Sequence, residues 1–347
     1  MEKDLDQPSP EGILQIASGF WASKILLAAV KFDLFTFLAR EKTMSAGQIK
    51  DSLKLKCSDR NVYDFLDALT ALKFLNREGL LADALYSNSI HTDTFLDKHK
   101  ESYIGGLLEM LNSRIYHHWG NLEEGLLTGG PQNETKEGSE NFFSVIYQDP
   151  QKLRGFINAM SGIQRGNFMT FAQKFDFSRY NTLTDAGGAG SMFSLTVAKY
   201  HPHMICTSFD LPIVVPIAIE NIQRAELQNQ VKTASGDFFN DPIPPADVVV
   251  MGNILHDWDE EKKLMLIKKA YDAVNHGGAF VAIENVIDDE RRHNVFGMMM
   301  SLNMLIETGK GFDYTFNDFN KWVTAAGFRS TELISLAGPS SAAIAYK

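Results

Sequence analysis

The chain has 347 residues, 44% of them hydrophobic and 22% charged, a composition that suits a globular protein of two domains. A net charge of −10, from 33 basic and 43 acidic residues with no basic block, argues against nucleic acid as a partner. Every apolar run of membrane-spanning length carries charged or strongly polar residues, and the acidic start Met1-Glu2-Lys3-Asp4 lacks signal-peptide order, so no membrane partner is expected. Only Cys57 and Cys206 occur, in segments assigned to different domains, which fits the reduced cytoplasm and makes the sequon Asn133-Glu134-Thr135 a coincidence.

Residues 11–100 read as mostly helical. Ile13, Ile16, Phe20, Trp21, Ile25, Leu26, Ala29 and Val30 recur at helical spacing but surround the helix, which is therefore either deeply buried or packed against another chain. Ser58 starts a second helix with a Val62, Phe65, Leu66, Leu69 stripe. A turn at Arg77-Glu78-Gly79 leads to extended pieces at Leu80–Ala84 and Tyr86–Asn88, completing a winged-helix pattern. A DNA reader would expose basic residues on the stripe helix. Here Asp59, Asp64 and Asp67 face Arg60 and Lys73, so dimerisation is the better reading.

Polar residues 128–141 predict a loop, and a long helix over Pro150–Lys174 joins the halves, with the boundary near Ser178. From there strands alternate with helices. Strands are predicted at Thr182–Asp185, Met204–Asp210, Val231–Ser235, Asp247–Gly252 and Ala279–Asn285. Helices are predicted at Met192–Tyr200, Pro212–Glu226 and Asp259–Val274, and a hairpin with one antiparallel strand closes the chain at Thr331–Leu336 and Ala342–Tyr346. The fold class is α/β: a doubly wound, mostly parallel Rossmann-like sheet behind a mainly helical N-terminal domain.

Ligands of such sheets bind outside the carboxyl ends of the strands. Three features fall on that edge. Asp185-Ala186-Gly187-Gly188-Ala189-Gly190 is a glycine turn between strand and helix. Asp210, in Phe209-Asp210-Leu211-Pro212, can accept both hydroxyls of a ribose. Asp237, in Gly236-Asp237-Phe238-Phe239, can accept from an adenine amino group while Phe238 covers the ring. The glycine spacing is not G-x-G-x-x-G, and Asp185 puts a carboxylate where a dinucleotide would place pyrophosphate. A cationic, phosphate-free adenosine fits better, and S-adenosylmethionine is that molecule.

His256, in Leu255-His256-Asp257-Trp258, follows the fourth strand, and Glu284 ends the neighbouring one. A carboxylate-held His is a general base with a fixed tautomer; a local capping role is the alternative. Adjacent side chains diverge, so Asp257 is expected to cap or pair locally. No Cys/His cluster has metal-ligand spacing, and no metal is expected.

These motifs resemble the class I S-adenosylmethionine-dependent O-methyltransferases of the caffeate/hydroxyindole type, over nearly the whole chain. Residues Asp185–Ser191 match the family's D-x-G-G-G-x-G turn in altered form, with Ala189 at the third glycine. The segment Ser301-Leu302-Asn303-Met304-Leu305 followed by Ala326-Gly327-Phe328 is most similar to the acetylserotonin O-methyltransferases. The resemblance implies His256 as base, Glu284 as its orienting carboxylate, and Asp313 in Asp313-Tyr314-Thr315 as a second one. It further implies Asn253 and Trp258 beside the cofactor, with Asn253 standing where relatives carry Arg or Lys. Asn303, Glu307, Met304 and Met160 are implied at the acceptor, and Met169, Met298, Met299 and Met300 are further candidate walls.

The domains it implies are 1–100 for dimerisation, 101–177 as a helical connector contributing to the substrate pocket, and 178–347 for S-adenosylmethionine. The partners it implies are a small aromatic acceptor and a second copy, whose active site is reached by Phe20 and Trp21. The expected reaction is methylation of an aromatic hydroxyl, giving S-adenosylhomocysteine. A non-methylating reaction on the same fold and cofactor (hydroxylation, decarboxylation or cyclisation) is the alternative.

Overall fold

The computed structural model describes residues 8–136 and 146–347; the acidic start and residues 137–141 of the expected loop lie outside the described residues. Two compact units form, Met1–Tyr116 and His117–Lys347, so the segment read as a connector is divided between them.

In the first unit, Ser58 caps the helix Asp59–Ala71 by accepting from the Asn61 N–H at 3.3 Å. Its stripe buries Val62, Leu66 and Leu69 against Leu34, Phe35, Leu38, Ile49 and Tyr86. The acidic residues of this helix are paired: Asp67 accepts from the Tyr86 hydroxyl at 2.8 Å and meets Arg77 at 2.7 Å. Strands β1 (Met44–Ser45), β2 (Leu75–Glu78) and β3 (Leu85–Asn88) make an antiparallel sheet in the order β1-β3-β2.

The wing thus differs from the expected one. Arg77 and Glu78 belong to a strand, and Leu81–Asp83 is a 3₁₀ turn rather than an extended piece. Gly79 at φ +79° brings the chain so close to Asp83 that a Cβ would lie 2.6 Å from its carbonyl oxygen, and Leu81 also takes positive φ.

The N-terminal apolar residues, for which burial or a partner chain were both open, divide: Ala29 and Val30 are buried in the core of this unit, whereas Ile16 is 83%, Phe20 54% and Trp21 64% exposed. By length and composition alone Glu11–Lys31 could cross a membrane. It is, however, divided at Ser18 into Glu11–Ala17 and Gly19–Lys31, and Lys24 at its middle donates to Asn112 Oδ1 at 2.6 Å.

The second unit contains a seven-stranded sheet of β4 (Thr182–Ala186), β5 (Ile205–Asp210), β6 (Val231–Ser235), β7 (Ala246–Gly252), β8 (Val274–Glu284), β9 (Ser330–Ser335) and β10 (Ser341–Tyr346). Its order is β6-β5-β4-β7-β8-β10-β9, with β10 antiparallel to both neighbours and β4 to β8 parallel. Side-chain alternation sends Val249, Met251, Phe280 and Ala282 to one face, under the helices Glu260–Ala273 and Phe316–Ala326. Val248, Val250, Val281 and Ile283 go to the other, with Phe171 and Phe193 of the helices Pro150–Lys174 and Met192–Tyr200. Burial on both faces is why the central strands read as unbroken apolar runs.

Two boundaries moved. The helix expected from Pro212 begins at Val215, where Pro216 occupies its first turn. Val274 opens β8 instead of ending a helix, because it pairs with Ala246 and Asn275 donates to Asp247 at 2.8 Å.

Candidate active site

The strand order reverses between β4 and β7, so the chain leaves these two strands in opposite directions and opens a crevice at their carboxyl ends. The glycine turn lines it. Gly187 has φ +77°, and a Cβ there would strike the Ile254 side chain at 2.4 Å and approach Phe238 to 3.6 Å. Beneath the turn, Asp185 accepts from the Ser194 hydroxyl at 3.3 Å. A Cβ at Gly188 would meet Ser208 Oγ at 2.4 Å. Gly190 accepts from Asn221 at 2.9 Å, and Gly236 lies against the Phe209 ring.

Asp210 receives the N–H groups of Ala189 at 2.8 Å and Leu211 at 2.7 Å, one on each oxygen, which leaves lone pairs for two further donors. Burial pushes the Asp185 carboxyl up to about 7 and that of Asp210 up to about 6. Among the described residues neither has a basic partner. Two buried carboxylates without a cation, beside a turn that admits close backbone approach, fit a positively charged adenosine. The buried Asn253 Oδ1, which has no hydrogen-bond partner, adds an acceptor on the same rim.

Asp237 also has a local task. Its oxygens take the Phe239 N–H at 2.8 Å and the Asn240 amide at 2.6 Å, so it first builds the turn after β6. Phe238 packs on Phe239 and Phe239 on Trp258, with ring centroids 4.8 and 4.7 Å apart. These contacts form an aromatic wall beside the glycine turn.

His256 is buried after β7, its Nδ1 3.4 Å from Asp313 and its Nε2 3.6 Å from Asp257. Both separations are ion-pair distances, long for hydrogen bonds. Two expectations are corrected here. Glu284 reaches the backbone rather than the ring, accepting the N–H groups of Ile254 and His256, both at 3.1 Å. Asp257 comes within 3.6 Å of the imidazole instead of diverging; both residues lie in the 3₁₀ turn Leu255–Asp257.

Asp313 arrives from a loop tied to the strand edge by Ile287 N–H to the Tyr314 carbonyl at 2.9 Å. Its own N–H donates to Ser301 Oγ at 3.2 Å. Gly311 makes the approach possible, since a Cβ there would sit 2.5 Å from the His256 carbonyl oxygen. Burial alone would lower the His256 pKa, but Asp313 and Asp257 reverse it and push it up to about 10. Burial raises Asp257 to about 7.

On the helix Val295–Thr308, Asn303 accepts the Trp119 indole N–H at 2.8 Å and its amide nitrogen donates to Met300 Sδ at 3.9 Å, which leaves one of its two N–H groups for an acceptor. Met304 and Glu307 are buried and Met160 is half-buried, whereas Met169 and Met299 are exposed. Sequence reasoning missed Gly311, Lys263 and Tyr147. The last is a half-buried phenol whose pKa is raised by burial and by the carboxylates of Asp210 and Asp257. Away from this cluster, His118 lies 3.6 Å from Glu134 and His201 contacts the Ala172 carbonyl at 2.7 Å. The sequon is closed, because Asn133 is buried and its amide donates to the Glu307 carbonyl at 2.7 Å.

A doubly wound sheet with this strand order, glycine turn and rim imidazole defines a methyltransferase of the Rossmann-like class. The O-methyltransferase domain family matches residues 119–329, and the O-methyltransferase dimerisation domain family matches residues 14–98. The chain belongs to the O-methyltransferase family. It is 36% identical over 338 residues, 97% of each chain, to the tetracenomycin polyketide synthesis 8-O-methyl transferase TcmO of Streptomyces glaucescens. It is 28% identical to the acetylserotonin O-methyltransferase of Gallus gallus, covering 96% of each. The solved structure of human N-acetylserotonin methyltransferase in complex with SAM superposes with a TM-score of 0.90 at 26% identity, covering 100% of this chain and 99% of that one.

The turn departs from D-x-G-G-G-x-G at Ala189 and Ser191, and both keep positive φ, +45° and +63°. Ser191 is also fully buried and its hydroxyl has no hydrogen-bond partner. Left-handed backbone costs a non-glycine residue about 1 kcal/mol, and an unsatisfied buried hydroxyl roughly 1–3 kcal/mol. Ser191→Gly is therefore expected to raise the melting temperature by roughly 2–4 °C; calorimetry showing a fall would refute the strain assignment.

Proposed function

We propose that this protein transfers a methyl group from S-adenosylmethionine to a hydroxyl of a small aromatic or heteroaromatic molecule, with His256 as general base. The observation that carries this reading is the meeting, on one sheet edge, of an imidazole paired with Asp313 and two buried carboxylates that lack a cation. The names of its relatives point to polyketide-derived phenols and hydroxyindoles as acceptor classes.

Asp210 would hold the ribose hydroxyls, the glycine turn and Asp185 the cationic end, and Phe238 with Asp237 and Asn253 the base. When bound, S-adenosylmethionine supplies a methyl carbon activated by its sulfonium. The protein's task is the proton. A phenol with pKa near 10 costs about 4 kcal/mol to ionise at pH 7, and His256 Nε2 removes that proton as the oxygen attacks. Asp313 on Nδ1 fixes the tautomer, and Glu284 fixes the backbone that carries the ring. Mass spectrometry tests the reaction itself: the acceptor gains one CH₂ as S-adenosylhomocysteine is released, and product lacking that gain points to the non-methylating alternative.

Asp210→Ala removes an acceptor that already holds two backbone N–H groups. It is expected to weaken S-adenosylmethionine binding about 100-fold, at roughly 1.5–3 kcal/mol per charged hydrogen bond, as measured by titration calorimetry. An unchanged affinity would remove Asp210 from the ribose.

With His256 raised to about 10, its neutral, base-competent form grows as pH rises through the alkaline range. The ratio kcat/KM should climb about tenfold per unit between pH 7 and 9. His256→Gln should lose about 100-fold or more in turnover and abolish that slope. A variant with wild-type turnover would end the base assignment.

The exposed Ile16, Phe20 and Trp21 support a homodimer built through the N-terminal unit. Trp21→Glu is expected to convert dimer to monomer in light scattering; a wild-type mass would place the interface elsewhere.

A further inference from the structure

One face of the helix Pro150–Lys174 runs along the rim of the crevice. A Cβ at Gly190 would lie 3.0 Å from Ile157 and 3.7 Å from Ser161, and one at Gly252 would lie 3.5 Å from the Phe168 ring. Gln164 falls on the same helical stripe as Ile157, Ser161 and Phe168, between the glycine turn and the end of β7, and is 5% exposed. The orientation of its amide is set from a distance. The Ala337 N–H can only donate, and it donates to Asn167 Oδ1 at 3.2 Å, so the Asn167 amide nitrogen faces the other way. That nitrogen donates to Gln164 Oε1 at 2.9 Å and to Ser340 Oγ at 3.0 Å, and the Ser340 hydroxyl donates to Asn285 Oδ1 at 2.9 Å. All four side chains are buried. With Oε1 held by Asn167, Gln164 Nε2 is left as the donor, and among the described residues no acceptor meets it. The chain belongs to the imidazole side of the crevice: Asn285 directly follows Glu284, and a Cβ at Gly297, on the helix that carries Asn303, would lie 2.7 Å from its carbonyl oxygen.

We propose that Gln164 is a specificity residue whose amide nitrogen takes a carbonyl oxygen of the aromatic acceptor, so that the crevice favours hydroxyarenes carrying a ketone, ester or quinone group over plain phenols. The proposal rests on the crevice being the site of methylation and names the class of acceptor it takes. An arene without such an oxygen covers the Gln164 N–H and leaves it unpaired, and the discrimination comes from that loss. Asn167 and Ser340 act through Gln164. They keep its oxygen engaged, so the amide cannot turn over and present an acceptor instead.

The test compares naphthol with acetylnaphthols, which add one carbonyl to the same ring system, in wild type, Gln164→Leu and Gln164→Glu. Thermal unfolding checks that each variant folds. Calorimetry reads binding of S-adenosylmethionine, and of each naphthol to protein saturated with S-adenosylhomocysteine; released S-adenosylhomocysteine reads kcat/KM. Wild type is expected to favour at least one acetylnaphthol over naphthol by about tenfold, in binding and in kcat/KM. Gln164→Leu should bring that ratio close to one. Gln164→Glu has the same size but presents an acceptor, and should bring it to one or below. Comparing ratios between variants cancels the effect of the acetyl group on the acidity of the hydroxyl. A wild type that does not distinguish the two, or variants that keep its preference, overturn the proposal. So does a variant that loses about tenfold in S-adenosylmethionine affinity while keeping the acceptor ratio, because the amide would then hold the carboxylate of the cofactor. A preference seen in binding and lost in the variants, with no methylated product, supports the proposal and overturns the methyl-transfer reading alone.

Discussion

An imidazole enclosed by Asp257, Glu284 and Asp313 cannot be held together by its side chains alone. Each carboxylate removed from water loses solvation that a single long ion pair does not return. Backbone donors make up part of the difference. Glu284 Oε1 takes the Ile254 and His256 N–H groups, and the Asp313 loop is anchored through Ser301 Oγ and the Ile287 N–H. The buried Lys263 ammonium donates to the Trp258 carbonyl and lies over the Phe312 ring, beside the loop that carries Asp313. Because Glu284 binds the main chain of residue 256 and not its ring, the strand end determines where the histidine is and the Asp313 loop determines how its ring is turned.

The sheet delivers these parts. Paired registers put Asp210 opposite Ser235, Asp185 opposite Val250, and Gly252 opposite Ile283. Consecutive strands therefore end within a few residues of one another along a single rim. Reversal of strand order between β4 and β7 leaves no crossover helix above that rim at the midpoint. The same register places the carboxylates of β4 and β5 on one side of the crevice and the imidazole cluster of β7 and β8 on the other, with Tyr147 electrostatically coupled to both.

What could be read in the sequence were the features that one strand end carries by itself. An apolar run ending in Gly-Gly, Asp, His or Glu shows both the strand and the chemistry at its tip, and Gly187, Asp210, His256 and Glu284 were legible for that reason. Residues whose role is created by a distant neighbour were not. Gly311 looks like any loop glycine until the His256 carbonyl is placed against it, and Lys263 looks like a solvated helix residue until the Trp258 carbonyl and the Phe312 ring enclose it. Asp257 was misjudged because the opposite pointing of adjacent side chains holds for extended chain, whereas in a 3₁₀ turn they are about 120° apart and a short side chain can still reach its neighbour's ring. The wing was misjudged because Leu80-Leu81 has strand composition, while the contact that defines it is the Gly79 backbone against Asp83.

The glycine turn shows how a motif survives loss of its glycines. Ala189 and Ser191 occupy left-handed backbone at about 1 kcal/mol each, a cost glycine would avoid. Asp210 takes the Ala189 N–H at 2.8 Å, and a charge-assisted hydrogen bond contributes about 1.5–3 kcal/mol. The Ser191 N–H donates to the Gly188 carbonyl at 2.8 Å, and its own carbonyl receives Leu195 N–H at 2.9 Å, starting the helix Met192–Tyr200. The conformation is thus imposed by what the main-chain groups bond to. The glycines that remain are those where a side chain has no room: Gly187 against Ile254, Gly188 against Ser208 and Asp185, and Gly190 against Asn221 and Ile157. In this turn, conformational freedom is the replaceable property of glycine and small volume is the one that is kept.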